Sequence, residues 1–322
     1  MKKITLLTLL AIITAMGKAQ TSSMLRITGT KFTFPVFKKW ADEYRKVHPE
    51  VTIIISAAIP ADSADILIAS HLLKPGDVKD GQTSIPLIRY VQLPVVNSER
   101  GDLKILLAKG FTDAALRKIY FTDTTSYVNG FNTPFTVYKR QKAACSAVAF
   151  ANHFGKAHTD IKGKAVAGDD QDLLESVKKD ASAISHNSLG IIYNIQTRKV
   201  NDSIAIIPID LNENGRIDET EKIYATIDEV VAFVEKTNHS KIPTENVNVI
   251  FSKTKNHQLI TGFLTWVITD GQQFNHTFGL LNLKEDTVRT QQKLLATSTT
   301  LKACTPSLTQ LKRSTTVLNK NK

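Results

Sequence analysis

The sequence predicts an α/β protein of two lobes, each a mostly parallel sheet flanked by helices, with two crossing strands as the hinge. Three observations carry this. The chain has 322 residues, more than one hydrophobic core ordinarily serves. It opens strand–helix–strand–loop–strand, the start of a parallel sheet. Two extended segments, 90–97 and 246–252, bracket a middle block. The division that follows is 24–94 and 246–297 for one lobe and 95–245 for the other. A leader over 1–19 precedes them, and a disordered basic tail over 298–322 follows.

The elements follow in order. MLRIT, from Met24, reads as a short strand. Val36, Phe37, Trp40, Tyr44 and Val47 then share one face at helical spacing, with Pro35 suited to the first turn and Pro49 past the end. EVTIII is the β-branched run of a buried strand, and DILIAS is the next strand. Arg89 to Asn97 is extended. Helical patterns cover Asp113 to Tyr120, Ser146 to Phe154 and the LLESV region, with a short strand at Ala165 to Ala167 between the last two. IAIIPID is a strand, Ile227 to Val234 a helix and NVNVIFS an extended segment. Helices over Gln258 to Thr269 and Asp286 to Leu295 close the pattern. No internal repeat occurs.

Composition excludes some classes. With 42% apolar and 22% charged residues the chain is not disordered in bulk. Lys2 and Lys3, the apolar run Ile4 to Met16, and the small residues Gly17 and Ala19 form a secretory leader cleaved near Ala19, so a periplasmic protein is expected. The run is too short for a membrane span, and no other segment is long and apolar enough. The formal charge of +11 falls to +3 once three basic residues of the leader and five of the tail are set aside. That body is no nucleic-acid groove. Cys145 lies in a helix pattern and Cys304 in the polar tail, and an exported protein could bridge them or leave both free, since the sequence does not show their separation.

Two stretches invite chemistry. YKRQKAACSAVAFANHFG places Arg140 just ahead of a small-residue helix start, where a guanidinium and free helix N–H groups together suit an oxyanion. The alternative is an ordinary surface charge before a core helix. DLNENGRIDETE has the full spacing of a twelve-residue calcium loop. Asp210, Asn212, Asn214, Asp218 and Glu221 supply side-chain oxygens, Arg216 a backbone carbonyl, Gly215 the sharp turn and Ile217 the apolar anchor. A structural Ca²⁺ is expected there. A strand precedes the loop where a helix usually enters, which leaves a plain Asn/Gly turn as the other reading.

No catalytic constellation emerges, and the chain is read as a non-enzyme. Cys145 and His153 would stand about 12 Å apart along a helix, too far for proton transfer. Zinc-type H-E-x-x-H spacing and Gly-rich nucleotide loops are absent, and Trp40 and Trp266 sit on apolar helix faces.

From Ile27 to Leu283 the chain resembles the periplasmic phosphate-binding component of ABC transporters, the PstS-like group with the class II periplasmic-binding-protein fold. The resemblance rests on ITGTKFTFPVFKKWADEY, DILIAS, PVVNS, LRKIYFTD, the Arg140 segment, IKGKAVAGDDQDLLESVKKDASAIS, LGIIYNI, IIPIDLNENG and LTWVITDGQQFNHTFGLLNL, taken in that order.

What the resemblance implies is an exported solute-binding protein, acting as a monomer, that closes on phosphate or a related oxyanion and presents it to an inner-membrane permease. It places Thr33 and Phe34, Ser56, His71, Arg140 and Ser146 at the anion. The chain departs from the pattern at three loops. SAAIPADS lacks the usual glycine, His71 stands where an aspartate is expected, and Ala144, Cys145 and Ser146 replace a Ser-Gly-Thr turn. His71 in place of a carboxylate acceptor implies poor discrimination between phosphate and sulfate. The lost donors leave a second reading, a ligand-degenerate interaction module stabilised by calcium.

Overall fold

The computed structural model describes residues 23–122 and 134–300. The leader, Cys304 and all of the basic tail past Thr300 lie outside these. Among the described residues nine strands form one continuous sheet. They are β1 Ser23–Gly29, β2 Val51–Ile55, β3 Ile66–Ala69, β4 Gln82–Asn97, β5 Thr136–Arg140, β6 Lys164–Val166, β7 Ala183–Ser188, β8 Ile204–Ile206 and β9 Thr244–Ser252. The helices are α1 Phe34–Val47, α2 Leu103–Lys109, α3 Asp113–Phe121, α4 Cys145–His153, α5 Asp170–Lys178, α6 Leu189–Ile192, α7 Ile227–Thr237, α8 His257–Ile268 and α9 Glu285–Thr300.

The strand order is β2-β1-β3-β9-β4-β7-β5-β6, with β8 also on β4. Pairs at either end (β1 with β2 and β3, β5 with β6 and β7) are parallel, and the pairs through β4 and β9 are antiparallel. The first half of β4 pairs with β9 and its second half with β7 and β8, so this one strand carries the sheet from lobe to lobe. Its register shifts between Pro86 and Ile88, where proline has no N–H for the ladder.

Burial follows the pleat. Leu25 and Ile27 of β1, Trp40 of α1 and Phe263 of α8 are fully buried in the first lobe's core. In the second lobe the sheet is covered on both faces. Leu93 and Val95 of β4 and Ala183 of β7 enter one cluster with α5 and α7 residues, while Val96 and Ile184 enter another with Phe111 and Phe150. Such double covering is why these strands read as near-continuous apolar runs.

Local signals set the helix ends nearest the cleft. Pro35 lies in the first turn of α1, where its missing N–H costs nothing. Asp169 caps α5 by accepting the Gln171 N–H at 3.0 Å, and Asp172 reaches back to the Asp169 N–H at 2.7 Å. Gly168 leads into that cap at φ +102°, where a Cβ would lie 2.0 Å from the Asp172 carboxylate. At the end of β1, Gly29 has φ +129° and a Cβ there would stand 2.2 Å from the Ile68 carbonyl. Only glycine lets β1 come this close to β3 before the chain turns into the cleft. No helix among the described residues is long and apolar enough to cross a membrane.

Candidate functional site

A cleft of about 630 Å³ opens between the lobes. The first lobe contributes Thr30, Lys31 and Phe32, from the turn between β1 and α1, and His71, just past β3. The second contributes Arg140 from the end of β5, Cys145 and Ser146 from the start of α4, and Asp169 and Asp170 from the start of α5.

Arg140 faces this space, held from the side by protein. Its Nη1 donates to Asp170 Oδ1 at 2.6 Å and its Nη2 to the Gly168 carbonyl. Its buried Nε has no hydrogen-bond partner among the described residues. Ser146, 5% exposed, donates to the same Asp170 Oδ1 at 3.1 Å. Asp170 is fixed in turn, because its carbonyl accepts the Asn187 amide at 2.9 Å. Lys31 crosses the cleft to Asp169 Oδ2 at 3.6 Å.

On the opposite wall His71 Nδ1 lies 3.1 Å from Cys145 Sγ, a contact between lobes. Its Nε2 is 3.7 Å from Asp77 Oδ2. Burial pushes the Cys145 thiol up, but bonds from His71, the Thr30 hydroxyl and the Ser70 backbone outweigh it and bring it down to about 7. The thiol raises the imidazole of His71 against burial, with Asp77 and Glu245 adding to the rise. Beneath this wall Tyr90 donates to the Ser70 carbonyl at 2.7 Å, and its ring packs on Phe32 with centroids 4.8 Å apart.

Of the residues singled out from the sequence, the structure brings His71, Arg140 and Ser146 together. Thr33 is fully buried and its hydroxyl turns back to the Thr30 carbonyl at 2.7 Å, so it closes the turn from beneath. Phe34 packs against the first lobe's core, and Ser56 Oγ accepts the Ala58 N–H at 3.1 Å. Neither lines the cleft. One turn earlier, Thr30, Lys31 and Phe32 take the place expected of Thr33 and Phe34, because the short turn Lys31–Thr33 points the later residues inward. Asp169 and Asp170 went unread as cleft residues, although the G-D-D-Q-D run is a plain helix start. The His71–Cys145 contact spans 74 positions, and no local spacing announces it.

This architecture is the type II periplasmic-binding-protein fold. Among solved structures the chain resembles a putative phosphate ABC transporter substrate-binding protein with bound phosphate from Clostridium perfringens, with TM-score 0.60, 19% identity, 81% of this chain and 100% of that one. It resembles an ABC-type phosphate transport receptor from Vibrio cholerae at TM-score 0.57 and 16% identity, over 80% and 100% of the two chains. PstS from Borrelia burgdorferi superposes at TM-score 0.51 and 12% identity, over 81% and 99%. No family model and no curated protein sequence matches the chain.

Proposed function

We propose that the protein is an exported solute-binding protein that takes phosphate, or a closely related oxyanion, in the cleft between its lobes and serves an ABC permease in the inner membrane. The observation that carries the reading is the half-buried Arg140 guanidinium on the cleft wall, whose buried Nε has no partner among the described residues. The α4 N-terminus and Ser146 stand on the same wall. Free helix N–H groups and an arginine fork together replace water around an anion. The fold, and the phosphate named with two structures that share it, support the reading from outside the chain. The leader and the export it implies belong to the same proposal.

Asp170 changes the expectation of poor selectivity. A carboxylate beside the arginine accepts a hydrogen bond from the O–H of hydrogen phosphate and repels sulfate, which has no O–H to donate. The acceptor sought at position 71 is thus offered from α5. Thermal melting with phosphate, sulfate and molybdate tests this: phosphate raises the melting temperature and sulfate does so less. A melt indifferent to all three favours the ligand-degenerate interaction module. The specific observation on that side is that Arg140, Ser146 and Lys31 already bond to Asp170 and Asp169.

We also propose that the 210–221 loop holds a structural Ca²⁺. Charge supports this. Asp210 and Glu221 are buried, at 0% and 3% exposure, and among the described residues neither has a cationic side chain within 4.0 Å. Backbone N–H groups already curl round them. Asp210 accepts from Asn214 and Gly215, and Glu221 from Leu211, Asn212 and Asp218. Among the described residues no three His, Cys, Asp or Glu side chains form a metal cage. The Asn212, Asn214 and Asp218 oxygens and the Arg216 carbonyl would complete the set; Asp218 here accepts the Asn212 and Asn214 amides and pairs with the Arg216 side chain.

A further inference from the structure

Cys145 and His71 reach each other from different lobes, and Asp77 stands behind the imidazole. Thiol, base and carboxylate lie in a row, at 3.1 Å and 3.7 Å. A base that touches a nucleophile, with a carboxylate at ion-pair distance on the base's far side, is the arrangement of an activated thiol. Cys145 is also the first residue of α4, a nine-residue helix whose free N–H groups and dipole favour negative charge on the sulfur. A cysteine that only fills space needs none of these partners. Both side chains line the cleft, so the sulfur is reachable from solvent.

The surroundings narrow the electrophile. The sulfur is part-buried between the lobes, in the cleft of about 630 Å³. An imidazolium touching the sulfur can give a proton to an oxygen leaving group. We propose that Cys145 is a reactive thiol, activated by His71 and oxidised by small hydroperoxides admitted to the cleft.

The step balances. The thiolate attacks the terminal oxygen of ROOH, the S–O bond forms and the O–O bond breaks. Sulfur loses two electrons and becomes a sulfenic acid. The departing alkoxide takes the proton from His71 and leaves as ROH. This chemistry does not depend on anion binding.

The test uses the full chain, with Cys304 as the internal comparison. Hydrogen peroxide is added at pH 7, sulfenic acid is trapped with dimedone, and the two cysteine peptides are quantified by mass spectrometry. Cys145 labels about tenfold or more faster than Cys304. His71→Gln slows Cys145 about tenfold and moves the pH midpoint of its iodoacetamide alkylation up toward the ordinary thiol value of about 8.5. Asp77→Asn moves both in the same direction by less, and carries the pH arm if His71→Gln does not fold. Equal labelling of the two cysteines overturns the proposal, as does a His71→Gln profile that superimposes on the parent. Fast alkylation without any sulfenic adduct overturns the hydroperoxide assignment.

Discussion

Asp170 receives both Arg140 and Ser146 on one oxygen, and this makes it the residue on which ligand choice turns. Asp170→Asn keeps the shape and removes the charge. Titration calorimetry is then expected to show the preference for phosphate over sulfate falling about tenfold, the worth of one charge-assisted bond. An unchanged ratio would remove Asp170 from the selectivity account. His186 makes a separate prediction. It lies flat on Phe150 with ring centroids 3.8 Å apart, and neither ring nitrogen has a partner among the described residues. Burial pushes its imidazole down to about 3. The unfolded chain takes up that proton below about pH 6.5 while the folded chain does not. Stability is therefore full above about pH 6.5 and is lost as the pH falls from there toward 3. His186→Leu should flatten that part of the profile in urea melts at pH 7 and pH 5; parallel profiles for variant and parent would contradict it. At this scale the sequence revealed Arg140 through the helix start behind it. It concealed Cys145's true partner, because a contact between residues 71 and 145 is made by the fold and has no spacing to read.

Elements with a single apolar face were legible. In α1 the buried Val36, Phe37, Trp40 and Tyr44 are residues its periodicity marks; Val47, marked with them, ends the helix 61% exposed. β7 was missed because AISHNS is polar yet buried at every position; its polar groups are used inside, as when Ser185 Oγ donates to Asn187 Oδ1 at 2.9 Å. β5, at five residues, is too short for alternation to show, and α2 too was unread. α9 runs on to Thr300, past the start of the tail read as disordered. At the β1 end, Gly29→Ala puts a Cβ against the Ile68 carbonyl and is expected to lower unfolding stability by about 2–4 kcal/mol in urea; a loss under about 0.5 kcal/mol would mean β1 and β3 can separate at no cost. For the 210–221 loop, millimolar Ca²⁺ should raise the melting temperature by several degrees, and Asp210→Ala should abolish the rise. A parent melt that ignores Ca²⁺ returns the loop to a plain turn closed by its own N–H groups.

At the scale of the molecule, β4 and β9 let two lobes share one sheet while leaving a cleft between them. Lys31–Asp169 and His71–Cys145 bridge that cleft. The first pair is partly exposed and contributes at most about 1 kcal/mol. Order and spacing of motifs made this architecture readable, because alternating strands and helices admit few topologies. Which turn residue faces the cleft was not readable, since one 3₁₀ turn decides whether Thr30 or Thr33 points outward. The central claim is that Arg140 holds an oxyanion between the lobes. Calorimetric titration of phosphate into the parent and into Arg140→Ala tests it most directly. The account predicts saturable binding by the parent and a loss of about tenfold to a hundredfold in affinity for the variant; equal affinities, or no heat from the folded parent, would contradict it.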